Sequence, residues 1–381
     1  MCIRDSQSAV YGGRFTNVVS VSAAGSAVTV TLAEPDSLFA YLLDIPVMKA
    51  AEVGASLPTG SGRYTPAIDG DGDLVFSRNP HYAGSVPVDT IHLLELSGLD
   101  ALVSSLNIGD ISLYSSELEQ DSGSTACSTE YYKTNNLVFL GLNDGRGALQ
   151  TPAVRQAISS AVDRSVLCEK GYFSRAYPAT GALNGSYPAL GGRQYLLSAA
   201  DREAAAQQLE AGGYTVSELE GYATDANDQR LTLKLLVCTQ GVGKRYTATL
   251  IREQLAAVGI AVEIEETDSF EEYASRVAAG DFDMYIGEVK LYNNMDIGVF
   301  LKGGAASYGV FASEGLLSAW ASFRQDAAQA DAFETAFANE VPYVPLLFRR
   351  GVVSYSRGIT GVQPSVSDVF YQFEQFAAIK E

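Results

Sequence analysis

The chain has 381 residues, 47% of them hydrophobic and 19% charged, more than one small core holds and too apolar for disorder, so two or more lobes are expected. Its 45 acidic against 26 basic residues leave a net charge of −19, which opposes the basic patches that nucleic-acid binding needs. Four scattered cysteines, Cys2, Cys127, Cys168 and Cys238, form no CxxC pair and speak against a disulfide framework or a zinc site. No run nears the ~18 apolar residues of a membrane span, and no signal peptide opens the chain.

The opening Met1-Cys2-Ile3-Arg4-Asp5-Ser6 fits no cap, strand or signal pattern and reads as a scar fused to a chain already in progress, any export signal lying upstream of it. Val18 to Ser22 and Val28 to Leu32 flank a small-residue turn and predict a β-hairpin. Asp36 to Leu43 predicts one or two helical turns, and Leu57 to Gly62, rich in Gly, Pro and Ser, a crossing between lobes. Strands are expected near Leu74 to Ser77 and Thr90 to Leu96, then a helix from Asp100 to Leu106 that stops at Gly109. Asp121 to Glu130 reads as a connector and Val138 to Leu142 as an apolar strand. Thr151 with Pro152 starts a helix whose inner face is Val154, Ala157, Ile158, Ala161 and Val162. Residues 171–197 read as irregular, and Ala199 to Ala211 as a helix.

From Leu231 to Ile297 the apolar period switches regularly. Leu231 to Leu235 alternates with period two, Tyr246 to Val258 recurs at helical spacing, and Ile260 to Glu265 alternates again. Ser269 with Glu272 forms a capping box, and Phe282 to Ile286 is a third apolar run. Strands separated by helices of this length imply a parallel sheet with right-handed crossovers. Ligands of such sheets lie beyond the strands' carboxyl ends, where the polar and aromatic segment Gly287 to Asp296 falls. Helices near Glu314 to Ala328 and Asp331 to Asn339, then strands Val344 to Phe348 and Val352 to Tyr355, complete the chain.

Catalytic chemistry finds little footing. Asp69-Gly70-Asp71-Gly72-Asp73 begins like a calcium loop, but Leu74 and Pro80 break the pattern and a hairpin turn is the better reading. Gly241-Val242-Gly243-Lys244 lacks the P-loop spacing and opens a helix instead. No GxSxG elbow exists, and the only histidines, His81 and His92, stand in a turn and a strand. Asp281 and Asp283 alternate along a strand as solvated ends. Binding is therefore the expected class, with no metal and no cofactor. Tyr285, Tyr292, Phe300 and Tyr308 around the 287–296 segment suit the aromatic wall of a cleft.

The order of several short motifs carries a resemblance. Ser61-Gly62-Arg63-Tyr64 followed by Ser77-Arg78-Asn79-Pro80-His81-Tyr82, then Asn107-Ile108-Gly109-Asp110-Ile111, then Asn143 with Val154-Arg155-Gln156-Ala157-Ile158-Ser159-Ser160-Ala161-Val162-Asp163-Arg164, then Gly280-Asp281-Phe282-Asp283, and finally Val344-Pro345-Leu346 resemble the extracytoplasmic solute-binding proteins of the peptide/nickel/oligopeptide class, the receptors of ABC importers. The resemblance runs from about Ser8 to the C-terminus. It implies an α/β, two-lobed periplasmic-binding-protein-like fold of type II, the large peptide-binding class, with part of lobe I missing at the amino-terminal side. Residues 1–57 would be the scar and the tail of a small extra domain, 58–130 with 346–381 lobe I, and 131–345 lobe II.

The resemblance further implies a monomeric, non-enzymatic receptor, in the periplasm or lipid-anchored at the outer face of the cell membrane. It would capture peptides between its lobes and pass them to the importer's membrane subunits. Same-fold alternatives are receptors for an oligosaccharide or a metal chelate, and an extracellular hydrolase is the remaining class. The implied ligand-binding set is Phe139, Gly141 and Asn143 on one strand, with Gly287, Glu288, Val289, Leu291, Tyr292 and Asn293, the main chains of Gly287 and Val289 included. The position where an aspartate commonly receives a peptide's amino terminus aligns with Leu291, and Glu288 or Asp296 stands near it as a substitute.

Overall fold

The computed structural model describes residues 13–378, apart from 46, 97, 118–125, 191–192, 218–220, 242, 302, 304–305 and 367. The Met1–Ser6 segment therefore lies outside the described residues. In chain order the strands are β1 (Val18–Ala24), β2 (Ala27–Leu32), β3 (Tyr64–Ile68), β4 (Leu74–Arg78), β5 (Thr90–Leu93), β6 (Leu113–Ser116), β7 (Cys127–Leu142), β8 (Ala176–Pro178), β9 (Thr215–Val216), β10 (Ala223–Thr224), β11 (Thr232–Cys238), β12 (Ala261–Thr267), β13 (Met284–Lys290), β14 (Tyr343–Ser356), β15 (Ile359–Thr360) and β16 (Ala377–Ala378). The α-helices are α1 (Leu99–Ile108), α2 (Pro152–Ala161), the short turn α3 (Arg164–Val166), α4 (Arg202–Ala211), α5 (Lys244–Ala256), α6 (Phe270–Ala278), α7 (Gly298–Leu301), α8 (Glu314–Gln325) and α9 (Ala330–Glu340).

The chain divides into two compact units. One comprises residues 1–33, 41–134 and 350–381, the other 34–40 and 135–349. Besides the short excursion of residues 34–40, the chain passes between them inside β7, at Thr134–Asn135, and inside β14, at Arg349–Arg350, where the resemblance placed its boundaries at 130/131 and 345/346. The Leu57 to Gly62 stretch lies within the first unit.

In the first unit β1 and β2 form the expected hairpin, and β3, β4 and β5 an antiparallel meander. The Asp69–Asp73 segment is the β3–β4 turn. Asp69 Oδ1 accepts from the amides of Asp71 and Asp73, and these bonds hold its carboxyl below the usual carboxylate range. Beside β14, β6 pairs antiparallel over Val352–Tyr355, and a small core gathers Val353, Val362 and Phe376.

In the second unit the strand order is β12-β11-β13-β7-β14, with β8 against β14. β11 runs parallel to both β12 and β13, and β13 runs antiparallel to β7. The β11–α5–β12–α6–β13 succession matches the switch of apolar period in the sequence. On one face of the sheet α2, α4 and α5 bury Val154, Ile158, Leu209, Ile251 and Leu255 against Val138, Leu140, Leu235 and Ile286. Each such side chain contributes about 1.5–3 kcal/mol on leaving water.

Four local expectations shift. The 36–43 turns reduce to a 3-10 turn, Phe39–Leu42. The connector expected at 121–130 lies outside the described residues as far as 125, and residues 127–130 already belong to β7. The two late strands are one, because Arg349-Arg350-Gly351 interrupts the apolar pattern but not the backbone. Arg349 stays in the ladder opposite Ala176. The third strand of the parallel unit runs on to Lys290, since its pairing with β7 continues to Asn136, so the loop proper starts at Leu291.

Candidate functional site

The β7–β13 ribbon carries or adjoins the residues of the implied ligand-binding set, and its two halves differ. In the lower half Gly141 pairs with Tyr285 and Gly287 with Phe139. A Cβ on Gly141 would sit 2.1 Å from Tyr285 Cε1, and one on Gly287 2.2 Å from Phe139 Cζ. Glycine is thus required twice so that rings can lie flat on the neighbouring strand. The Phe139 ring then packs edge-on against Tyr285 and Phe300, with centroids 5.6 and 4.8 Å away, and Phe300 stacks on Tyr343 at 4.1 Å. Asn143, past the end of β7, donates to the carbonyls of Gly280 and Phe282 and ties down the turn before β13. Phe139, Gly141, Asn143 and Gly287 are therefore placed as framework around the strand pair.

In the upper half polar side chains, Asn135, Asn136, Glu288 and Asn293, are interspersed with apolar ones. The amides of Asn143 and Leu291 donate to Asp283 O and to Asn135 O respectively, so odd-numbered residues of β13 turn their main chain toward β7. Gly287 and Val289 lie in register with Phe139 and Leu137. The main chains of the even residues face the opposite edge, where the β11 ladder has only two rungs, Leu235–Met284 and Leu236–Tyr285. Tyr273 Oη donates to the Ile286 carbonyl at 2.7 Å. Glu288, next in that series, has no ladder partner on that edge among the described residues. The edge that β11 leaves partly unpaired is thus one residue out of step with the main-chain groups of Gly287 and Val289.

The Glu288 side chain bridges two cations, Lys244 Nζ at 3.3 Å and Arg349 Nη1 at 3.1 Å, all three being 14–21% exposed. Lys244 opens α5, whose N-cap Gly243 supplies no side-chain bond. This end of α5 follows the carboxyl end of β11, where helix N–H groups carry partial positive charge. Tyr172, 3% exposed, lies beneath. Its hydroxyl finds no hydrogen-bond partner among the described residues, and the Arg349 guanidinium stands 5.9 Å from its ring centroid. Burial first, then the Glu288 charge, raises the Tyr172 phenol, with Arg349 opposing. Glu288 thus already has two cationic partners.

Beside it a neutral network holds the loop after β13. Asn135 Nδ2 donates to Asn293 Oδ1 at 3.0 Å and to the Tyr187 hydroxyl, while Tyr187 Oη donates to Asn293 Oδ1 at 2.9 Å. Asn184 Nδ2 donates to Asn135 Oδ1 at 2.8 Å and to Tyr177 Oη at 3.0 Å. Leu291 is buried, Tyr292 borders on exposed, and Asn294 is buried with Nδ2 donating to Asp36 at 2.7 Å. Asp296 lies 3.7 Å from Arg324.

Sequence reasoning passed over Lys244, Arg349, Tyr172 and the Asn135, Asn184 and Tyr187 network. Lys244 stood in the discarded phosphate-loop fragment, and Arg349 breaks an apolar strand. Asn135-Asn136 puts two amides at the head of an apolar run. Most of their partners lie about 40 to 160 residues away.

The comparisons with known proteins agree with this architecture. No curated protein matches the chain. Among solved structures it resembles the ABC transporter substrate-binding protein CtaP from Listeria monocytogenes, at 17% identity over 99% of this chain and 82% of that one, with TM-score 0.76. It also resembles a nickel ABC transporter protein from Bacillus halodurans, at 18% identity over 94% and 79%, with TM-score 0.74. A third is the oligopeptide-binding protein AppA from Bacillus subtilis in complex with a nonapeptide, at 16% identity over 97% and 80%, with TM-score 0.61. At these identities the likeness is one of fold, two-lobed and α/β. No helix among the described residues is long and apolar enough to cross a membrane. Residues 4–299 match the family described as bacterial extracellular solute-binding proteins, family 5 Middle, and with most of its length matched the chain belongs to that family of binding proteins.

Proposed function

We propose that the chain is the receptor of an ABC importer, capturing peptides between two lobes on the outer side of the cell membrane and handing them to the importer's membrane subunits without catalysis. The observation that carries this reading is the family match over residues 4–299. The half-paired edge of β13 supports it, since an extended peptide adds to such an edge by main-chain bonds and leaves its side chains in permissive pockets. Around that edge we place Glu288, Leu291, Tyr292 and Asn293 as ligand-facing, with Val289 and Gly287 holding the strand, and Phe139, Gly141 and Asn143 supporting it.

Glu288 bound to two cations is a poor acceptor for a peptide's ammonium group. Two cations and the N-terminus of α5 beside this strand end favour a ligand carboxylate instead, through charge-assisted bonds. Native mass spectrometry of the purified protein, followed by calorimetry with the peptides it retains, tests the reading. Peptide should co-purify, and its C-terminal amide should bind about tenfold more weakly than the free acid, the loss of one charged contact. An oligosaccharide or metal chelate in place of peptide, or turnover of bound peptide, would overturn it.

A further inference from the structure

Helix α9 carries a carboxylate that the binding site does not use directly. Glu334 is 1% exposed, and its two oxygens accept from two consecutive amides, Ala182 N to Oε2 and Leu183 N to Oε1, both at 2.9 Å. The backbone approaches so closely that a Cβ on Gly181 would lie 2.6 Å from Oε1. The nearby cation Arg193 is engaged with Asp331 at 2.5 Å. Immediately after the pinned amides come Asn184 and Tyr187, the residues that hold Asn135 and Asn293.

We propose that Glu334 is a positioning residue, a proton-controlled clasp that fixes Gly181–Leu183 and through Asn184 and Tyr187 sets the loop at 291–297. A carboxylate accepts from both amides. A neutral carboxyl keeps a strong acceptor only at its carbonyl oxygen and puts a hydrogen on the other, so one buried N–H is left with a much weaker acceptor. The groups facing Glu334 are Asp331 one turn earlier on α9, Arg193 and Tyr195 from the irregular segment, and Tyr343 from β14. Burial raises the Glu334 carboxyl to about 7, with the Ala182 and Leu183 amides opposing and Asp331 adding to the rise. The clasp is closed above that pH and opens below it.

Global stability runs the other way. The folded value lies above the ordinary 4.5, so the Glu334 contribution is full below about 4.5 and is lost as pH rises through about 7. Local loosening on acidification is therefore separable from unfolding.

The test is hydrogen exchange on the whole chain between about pH 5.5 and about pH 8.5, corrected for intrinsic exchange, with E334Q beside the wild type. Protection of the 181–187 amides should fall about tenfold on acidification, with 291–297 loosening in step. In E334Q, which mimics the neutral acid, protection should be low and flat with pH. Wild-type protection of Ala182 and Leu183 that does not change with pH, or a 291–297 loop indifferent to E334Q, would overturn the clasp. The wild-type profile decides alone if the variant fails to fold. The role of 291–297 as ligand loop rests on the proposed function, but the exchange readout needs no ligand. A chain that binds no peptide leaves the clasp standing, and a pH-independent clasp leaves peptide capture standing.

Discussion

The lower and upper halves of the β7–β13 ribbon are built from the same two strands and answer to different rules. From Phe139 to Leu142 and Met284 to Gly287 the side chains are apolar, aromatic or absent, and rings lock onto glycines. From Asn135 to Leu137 and Glu288 to Asn293 the partners become amides, hydroxyls and charges from far along the chain. The lower half is held by packing, which tolerates no change of volume. The upper half is held by directed polar bonds, each of which contributes little net stability while both partners are present.

The comparison breaks most sharply at Phe139. Its ring is the hub of contacts to Tyr285, Phe300 and Tyr343. Phe139→Ala should destabilise the second unit by about 3–5 kcal/mol, the lost transfer energy plus the cavity. Urea unfolding followed by fluorescence of Trp320, which lies in that unit, measures it. A loss below about 1 kcal/mol would mean that the lower half is not a packed floor.

Next comes the charged trio. Removing Arg349 leaves Glu288 with Lys244 alone in a setting 18% exposed. Arg349→Ala should cost about 1–3 kcal/mol of stability, between an exposed pair and a fully buried one. The paired Glu288→Gln, Arg349→Ala variant should differ from the sum of its single variants, because the two side chains share one ion pair, while Lys244 loses its carboxylate wherever Glu288 is replaced. An additive double mutant would show that the two side chains do not share one bond.

What the sequence made legible divides along the same line. The β11–α5–β12–α6–β13 unit was readable because its period switches within about sixty residues and each helix is punctuated by glycine. The motif order pointed to the fold. The polar half was not readable, since a hydrogen-bond partner at large separation leaves no period. Glu334 shows how near the signal can come. It sits at i+4 from Ala330 and one residue after Phe333, with Phe337 following, on the buried stripe of α9. An acid on an apolar stripe is a local contradiction that marks a buried bond before any partner is known. Arg349-Arg350 had the opposite effect, a polar interruption read as a strand end although the ladder runs through it.

The smallest effects separate Tyr292 from Asn293, neighbours in one loop. Asn293 Oδ1 receives two bonds, from Asn135 and Tyr187. Asn293→Ala leaves both buried donors short of an acceptor, and about 1–2 kcal/mol of stability should be lost. Tyr292 is 36% exposed, and at such a position Tyr292→Ala should change stability by no more than about 0.5 kcal/mol. If the upper half is a ligand rim, the order reverses in binding. Tyr292 presents an amphipathic ring whose burial a peptide would complete, so its loss should weaken peptide affinity by about 1–2 kcal/mol while the melt stays unchanged. Calorimetry and thermal unfolding on the same two variants place each residue. Tyr292→Ala with wild-type affinity would move the ligand away from this loop and leave Asn293 as a purely structural amide.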